Sequence, residues 1–298
     1  MDKLAQLLFS GMALGAVYAL LALGFVVVFK ATEVVNFAHA GLVMVGTYCA
    51  ARLRTIDGYP FVVAVLAGVA VAVVVAIVVE RLLVRPVVRR SVVAVAVMTI
   101  GVDVVLQTEV ARRLGVEIVP VGDPWGSATV DVAGITVPQT RVAALVVAMV
   151  VLGAFFAWSR FSRWGIALRA SAEDHRTAEL MGIRSGTVSA IVWIVAAVLA
   201  VLAGIFLGAF PSPGVSPTTS AAALRAFPAA ILGGLDSTGG ALLGGLLIGL
   251  SESLTQGYQD ELSFLGEGFS TVMPYVVMVA VLLVRPTGLL GTREATRV

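Results

Sequence analysis

The sequence predicts an all-α, polytopic integral membrane protein with about eight or nine transmembrane helices, one of them short or re-entrant, and a coupling helix in the cytoplasm. Three observations carry that prediction. Of 298 residues, 59% are hydrophobic and only 13% charged. Mean hydropathy is +1.01, which leaves too little polar surface to clothe a soluble globule. Apolar runs rich in Val, Leu, Ala and Gly recur at about 20 residues, the length a helix needs to cross about 30 Å of hydrocarbon. A membrane barrel would instead alternate in polarity over segments of about ten residues, and the chain does not read that way.

The net charge of +2 is small, and basic residues sit at the ends of apolar runs. That pattern speaks to topology and not to a nucleic-acid partner. The single cysteine, Cys49, excludes an internal disulfide and a cysteine-based metal cluster, and reads as a small buried apolar residue. The N-terminus begins like a signal peptide but runs on too long without a cleavage site, so it is taken as the first span.

Span one covers residues 4–29. Its Gly11, Gly15 and Ala19 recur every four residues and give a small-residue face on which another helix can pack closely. The next stretch, 30–54, places Glu33, Asn36 and His39 at intervals of three, so a continuous helix would carry them on one face. A charge at the centre of a lipid-facing helix costs about 2.5–3.5 kcal/mol. The trio therefore belongs either to an interfacial helix start or to a watery seam inside the protein. Gly41 and Gly46 beyond it allow close backbone approach, and all five are candidates for pathway or packing roles. One His, one Glu and one Asn make a poor zinc site, and no metal is expected.

Span three, 60–84, is mostly Val and Ala and stops at a turn bearing Arg81, Arg85, Arg89 and Arg90. Loops this basic stay in the cytoplasm. Span four, 91–110, contains Asp103 and Glu109, read either as proton sites or as groups facing a polar seam. A connector at 112–139, with two β-prone pieces around Gly134, suits a small external hairpin or docking surface. Span five, 142–158, leads into a polar island at 160–186, RFSRWGIALRASAEDHRTAELMGIRSG.

Within the island Ser171, with Asp174 three residues on, reads as a helix N-cap, and Gly182 as the stop. A helix of about ten residues would be about 15 Å long, too short and too charged to cross a bilayer. It suits insertion into a groove of a soluble partner, or an ordinary solvated loop. Span six is 187–209. Three prolines at 211, 213 and 217 then break the chain before a short apolar piece at 221–235, either a crossing or a re-entrant element. Span eight ends near residue 253, and span nine, 269–284, contains Pro274.

With span one starting outside and nine crossings, Lys30, the 81–90 arginines, Arg160, Arg163, Arg169, Arg176, Arg184, Arg285, Arg293 and Arg297 all fall inside. The island is then cytoplasmic and the 112–139 loop external. Neither lysine follows a glycine-rich phosphate loop, and no nucleophile elbow or metalloprotease pattern occurs. The chain is expected to be no enzyme and to need no cofactor.

Four pieces carry a family resemblance: VVNFAHAGLVMVGTY at 34–48, GIALRASAEDHRTAELMGI at 165–183, AVLAVLAGIFLG at 197–208 and AFPAAILGGLDSTGGALLGGLLIGLSE at 226–252. In this order they resemble the LivH-type permeases of bacterial ABC importers for branched-chain amino acids. The resemblance implies one permease domain over 1–298 in the bacterial inner membrane and a second permease subunit, LivM-like or identical. It also implies two cytoplasmic ATPase subunits and an extracytoplasmic substrate-binding protein that delivers the amino acid. Around 170–182 it implies a coupling helix, with Ala170, Glu173, Asp174, Arg176, Ala178, Met181 and Gly182 at the ATPase groove. Transport would follow ATP-driven alternating access; substrate choice in such systems rests largely on the binding protein, so the resemblance leaves urea or short amides open as cargo. The rival from another class is a proton-coupled carrier using Asp103 or Glu109.

Overall fold

The computed structural model describes residues 2–88, 91–115, 117–126, 128–132, 134–210, 214–216, 218–266 and 268–291. Arg89, Arg90, Pro211, Pro213, Pro217, Arg293 and Arg297 lie outside the described residues.

The chain is organised around its first helix. Helix α1 (Asp2–Thr32) is apolar on every side, and such a helix is stable only when surrounded. Its middle, from Ala13 to Val28, is buried almost throughout. The small-residue face at Gly11, Gly15 and Ala19 meets α12 (Thr238–Gly257): a Cβ on Gly15 would lie 2.8 Å from the Leu246 Cα, and one on Gly11 2.9 Å from the Leu250 Cα. The reciprocal glycines, Gly245 and Gly249, abut the backbones of Ala19 and Gly15, so the two helices run antiparallel. At the far end the Ser253 hydroxyl donates to the Leu7 carbonyl at 2.8 Å.

Beyond Thr32 the chain breaks. Glu33 has φ 56°, alone among the described non-glycine residues in the left-handed region, and α2 (His39–Thr55) starts six residues later. Glu33, Asn36 and His39 therefore do not share a helical face. Helix α3 (Phe61–Val79) carries a buried stripe every four residues, Ala64, Gly68, Ala72 and Ala76, and at Gly68 and Ala72 it packs on Gly46 and Ala50 of α2. It continues through a π-helical turn (Glu80–Val84) into α4 (Arg85–Val87). Helix α5 (Val92–Leu114) is capped by Ser91, whose hydroxyl accepts from Ala94 N at 3.2 Å.

The connector forms the small hairpin: β1 (Thr129–Val132) pairs antiparallel with β2 (Ile135–Pro138), Val132 opposite Ile135. Helix α6 (Gln139–Phe161) follows, longer at both ends than the expected span. Then come α7 (Arg163–Glu173), α8 (His175–Leu180) and the largely buried α9 (Ser185–Leu207). The apolar piece at 221–235 is two short helices, α10 (Thr218–Leu224) and α11 (Ala226–Gly233), broken at Arg225. Helix α11 turns sharply into α12, which Ser237 caps by accepting from Gly240 N. The last expected span starts later than read: a 3-10 turn (Phe269–Thr271) precedes α13 (Met273–Val284), and Pro274 sits in the first turn of α13, where it breaks no hydrogen bond. Cys49 is half-exposed and not the buried residue expected.

Among the described residues five helical stretches are long and apolar enough to cross a membrane: Lys3–Thr32, Phe61–Val87, Val92–Leu114, Gln139–Phe161 and Ser185–Leu207. Large apolar residues on the outer faces of α3, α5 and α6, such as Val62, Leu66, Val93, Val105, Met149 and Val150, are uncovered. The structure is thus an all-α membrane protein with one hairpin.

Contacts sort the elements into two ends. At one end Arg54 donates to the Gly122 carbonyl at 3.1 Å, Val119 bridges Val215, and Lys3 approaches Glu261 at 3.7 Å. At the other, Lys30, Arg85, Ser171 and Ser185 line one cavity. Residues 287–291 pack there against Gly234, with Leu289 N and Leu290 N donating to the last carbonyls of α11.

Candidate functional site

Two regions hold the residues singled out in the sequence. The first is the polar island. Its local fold differs from the expected one because Ser171 is buried inside α7 and caps nothing. Ser162 caps α7 instead, its hydroxyl accepting from Gly165 N at 2.9 Å. The Arg169 guanidinium turns back and donates to the carbonyls of Ser159 and Arg160, a cation at the C-terminal end of α6.

Asp174 is the cap of α8. Its carboxylate accepts from Thr177 N at 3.1 Å and from the Thr177 hydroxyl at 2.6 Å. Asp174 N in turn donates to the Ala170 carbonyl at 3.2 Å, joining the two helices. At the other end Gly182 has φ +88°, with Ile183 N donating to Ala178 O and Gly182 N to Glu179 O. That is the paired closure of a Schellman motif, and glycine suits its left-handed position. Glu179 accepts from the Ser185 hydroxyl at the start of α9.

A six-residue helix is unstable alone, and this one is fixed at both ends by its neighbours. Ala178 is buried beneath it, while Leu180 and Met181 are 87% and 79% exposed. Glu173 and Asp174 are also exposed, Ala170 is half-buried, and Arg176 is a residue of α8.

The second region is a polar seam at the break between α1 and α2. Asn36 is buried and its side-chain oxygen accepts from Ala38 N at 3.1 Å, which turns the chain into α2. His39 is fully buried against Gly24 and the Phe25 ring, 4.6 Å away between centroids, with no polar partner for either ring nitrogen. Two amides at the entry to α2 are met from α5: Asp103 accepts from Gly41 N, in the first turn, at 2.6 Å, and the Thr99 hydroxyl accepts from Phe37 N, just before the helix, at 3.2 Å. A carboxylate is well placed at the positive end of a helix. Gln107 donates to the second Asp103 oxygen at 2.5 Å and accepts from the Ser220 hydroxyl at 2.9 Å, so the seam extends to α10. Gly46 allows α2 to approach Gly68 and Val201. Glu109 is surface-paired with Arg112 at 2.9 Å and Arg113 at 2.7 Å, away from this seam.

Sequence reading missed three features. Glu252 of α12 accepts from the Tyr18 hydroxyl at 2.7 Å and from Arg225 at 2.6 Å, a buried acid bridging α1 and the α10–α11 break. Gln107 and Ser220 complete the Asp103 network, and Thr99 holds Phe37 N beside it. Glu80, the first charge after the apolar run of α3, is fully buried with neither oxygen bonded. Thr99 and Arg225 stand alone among apolar neighbours and carried a signal in the sequence, whereas Glu80, Gln107, Ser220 and Glu252 each adjoin another polar residue and carried none. Among the described residues no cluster of three or more metal-ligating side chains occurs.

The family model described as branched-chain amino acid transport system, permease component, matches residues 7–284. The chain is 33% identical over 308 residues to the high-affinity branched-chain amino acid transport system permease protein LivH of Escherichia coli, covering 98% of this chain and 97% of that protein. The corresponding Pseudomonas aeruginosa permease protein, BraD, is 29% identical over 310 residues with the same coverage. PsaBC from Streptococcus pneumoniae, solved in complex with Fab, aligns with a TM-score of 0.47 at 12% identity, over 95% of this chain and 91% of that one. From the match to residues 7–284 and the 33% identity to LivH over nearly the full length of both chains, the chain belongs to the family of branched-chain amino acid transport system permease components.

Proposed function

We propose that the chain is the membrane-spanning permease subunit of a binding-protein-dependent ABC importer, moving branched-chain or related amino acids by ATP-driven alternating access. One observation carries the reading: α8, clamped by Asp174 and the Gly182 closure, presents Leu180 and Met181 uncovered. A rigid short helix with an apolar tip fits a groove on a soluble partner better than it fits water. That partner is an ATPase subunit, one of a pair, with Ala170, Glu173, Asp174, Arg176, Ala178, Met181 and Gly182 forming or shaping the dock.

The end that carries Lys30, Arg85 and α7–α8 is taken as cytoplasmic by its charge. The loop at 112–139 is then external, where a substrate-binding protein reaches it. The whole of 1–298 acts as one permease domain with eight or nine crossings, the α10–α11 pair being the short one, in a bacterial inner membrane. A second permease subunit, LivM-like or identical, completes the pathway. The proton-coupled alternative needs Asp103 or Glu109 free to exchange protons, and both are engaged with protein partners.

The test replaces Met181 with Asp and follows branched-chain amino acid uptake, ATPase co-purification and membrane insertion together. Loss of uptake and of the ATPase with insertion intact supports the dock. Normal uptake with a normally retained ATPase overturns it.

A further inference from the structure

We propose that the cavity between the ends of α1 and α3 and the start of α9 is a binding site for a free zwitterionic amino acid with an apolar side chain. The inference rests on the amino-acid permease reading above and adds a specific place on this chain. The cavity measures ≈ 570 Å³ and is lined by both signs of charge, Lys30 and Arg85 with Glu33 and Glu80, and by apolar Val88 and Val92. Its volume is that of a small-molecule site.

Glu80 supplies the observation that points to a ligand. The residue is fully buried, it lines the cavity, and neither carboxylate oxygen has a hydrogen-bond partner. A buried carboxyl group whose oxygens lack partners is costly, and a cationic donor that bonds it removes that cost. The local backbone is a π-helical turn, Glu80–Val84, which rotates the side chains beyond it relative to a regular helix. Such turns recur at functional sites.

Arg85, five residues on, reaches the same cavity over a glycine. A side-chain carbon on Gly186 would collide with its guanidinium, so the position at the start of α9 is left open for the arginine. An α-amino acid carries a carboxylate and an ammonium on one carbon. A site for it must therefore show a cation and an anion to the same space while leaving each unneutralised by the other. Arg85 and Lys30 answer the carboxylate and Glu80 the ammonium, and Val88 and Val92 offer an apolar wall for the side chain. Ser171 of α7 also lines the cavity, so occupancy would be felt by the segment that leads into α8.

The experiment uses the full chain in its assembled transporter, purified in detergent, with Cys49→Ser and Ser189→Cys. Ser189 lines the cavity, and N-ethylmaleimide alkylation of the new thiol reports its access. Valine is expected to slow alkylation, while 3-methylbutanoate, which lacks the ammonium, and isobutylamine, which lacks the carboxylate, do not. Adding Glu80→Gln should raise the half-protecting valine concentration about tenfold, the factor for losing one charge-assisted bond.

Equal protection by either half-molecule, or none by valine, overturns the inference. Should the thiol prove unreactive, equilibrium binding of labelled valine to the purified transporter, unsubstituted against Glu80→Gln, decides it: unchanged binding overturns the site. Valine uptake by cells carrying the unsubstituted chain separates the two readings. Uptake without protection removes this site and leaves the permease; protection without uptake does the reverse.

Discussion

Gly15 of α1 and Gly249 of α12 meet backbone to backbone, and a side-chain carbon on Gly249 would fall onto the Gly15 amide nitrogen and Cα. Inside a membrane no hydrophobic force draws helices together, so close packing of this kind must hold α1 at the centre. Gly249→Ala is expected to destabilise the chain by about 1–3 kcal/mol through overpacking. Gly101→Ala, where the same carbon meets nothing within 4 Å, should instead gain about 0.5–1 kcal/mol from helix propensity. Heating the detergent-purified chain and scoring the soluble monodisperse fraction checks both signs. Equal behaviour of the two variants would contradict the close contact.

Asp103 meets the start of α2 through Gly41 N and is held by Gln107. Asp103→Asn keeps one oxygen for the Gly41 amide and loses the other acceptor, a cost of about 1–2 kcal/mol. Asp103→Leu, which leaves the amide without a partner, should cost more. Uptake by the Asn variant is expected to persist. Its abolition in a folded protein, together with proton uptake accompanying substrate in the parent, would favour the proton-coupled carrier.

The bridge from Glu252 to Arg225 and Tyr18 ties the break between α10 and α11 to the central helix. Arg225→Ala leaves a buried carboxylate with one neutral donor, and removing one partner of a buried pair costs about 3–5 kcal/mol. Tyr18→Phe, which leaves the ion pair intact, should cost about 1 kcal/mol. Combining Arg225→Met with Glu252→Leu should recover much of the loss, since the pair is then removed as a unit. Thermal midpoints of the three variants test the ordering, and a double variant no better than Arg225→Ala alone would mean that Glu252 is held chiefly by Tyr18.

The long helices were legible because apolar length is a one-dimensional property: α1, α3, α5, α6 and α9 could be read from runs alone. The hairpin about Gly134 and the stop at Gly182 were legible from glycine placement. The break at Glu33 was not, because a left-handed glutamate gives no compositional signal, and the spacing of Glu33, Asn36 and His39 imitates a helical face. Ser171 misled in the same way. Serine followed three residues later by an acid resembles a cap, yet tertiary packing buries Ser171 and passes the role to Ser162 and Asp174. Partnerships such as Asp103 with Gly41, 62 residues apart, depend on which helices become neighbours, and one sequence does not contain that.

Gly182 offers the sharpest test of α8, because its role is purely conformational. Its φ of +88° closes the helix, and no atom lies within 4 Å of where a side-chain carbon would sit. Gly182→Ala therefore adds strain without a clash, a cost of about 1–2 kcal/mol for a non-glycine residue in the left-handed region. A strain of that size tips a six-residue helix toward fraying while leaving the buried bundle intact. In the assembled transporter the variant is expected to insert normally and to take up several-fold less substrate per ATP hydrolysed. Glu173→Lys, which changes surface charge beside the same helix and leaves its closure alone, should weaken ATPase retention in a salt-dependent way. Uptake and hydrolysis measured in proteoliposomes distinguish the two effects, and full coupling in both variants would remove α8 from the transmission of ATP energy.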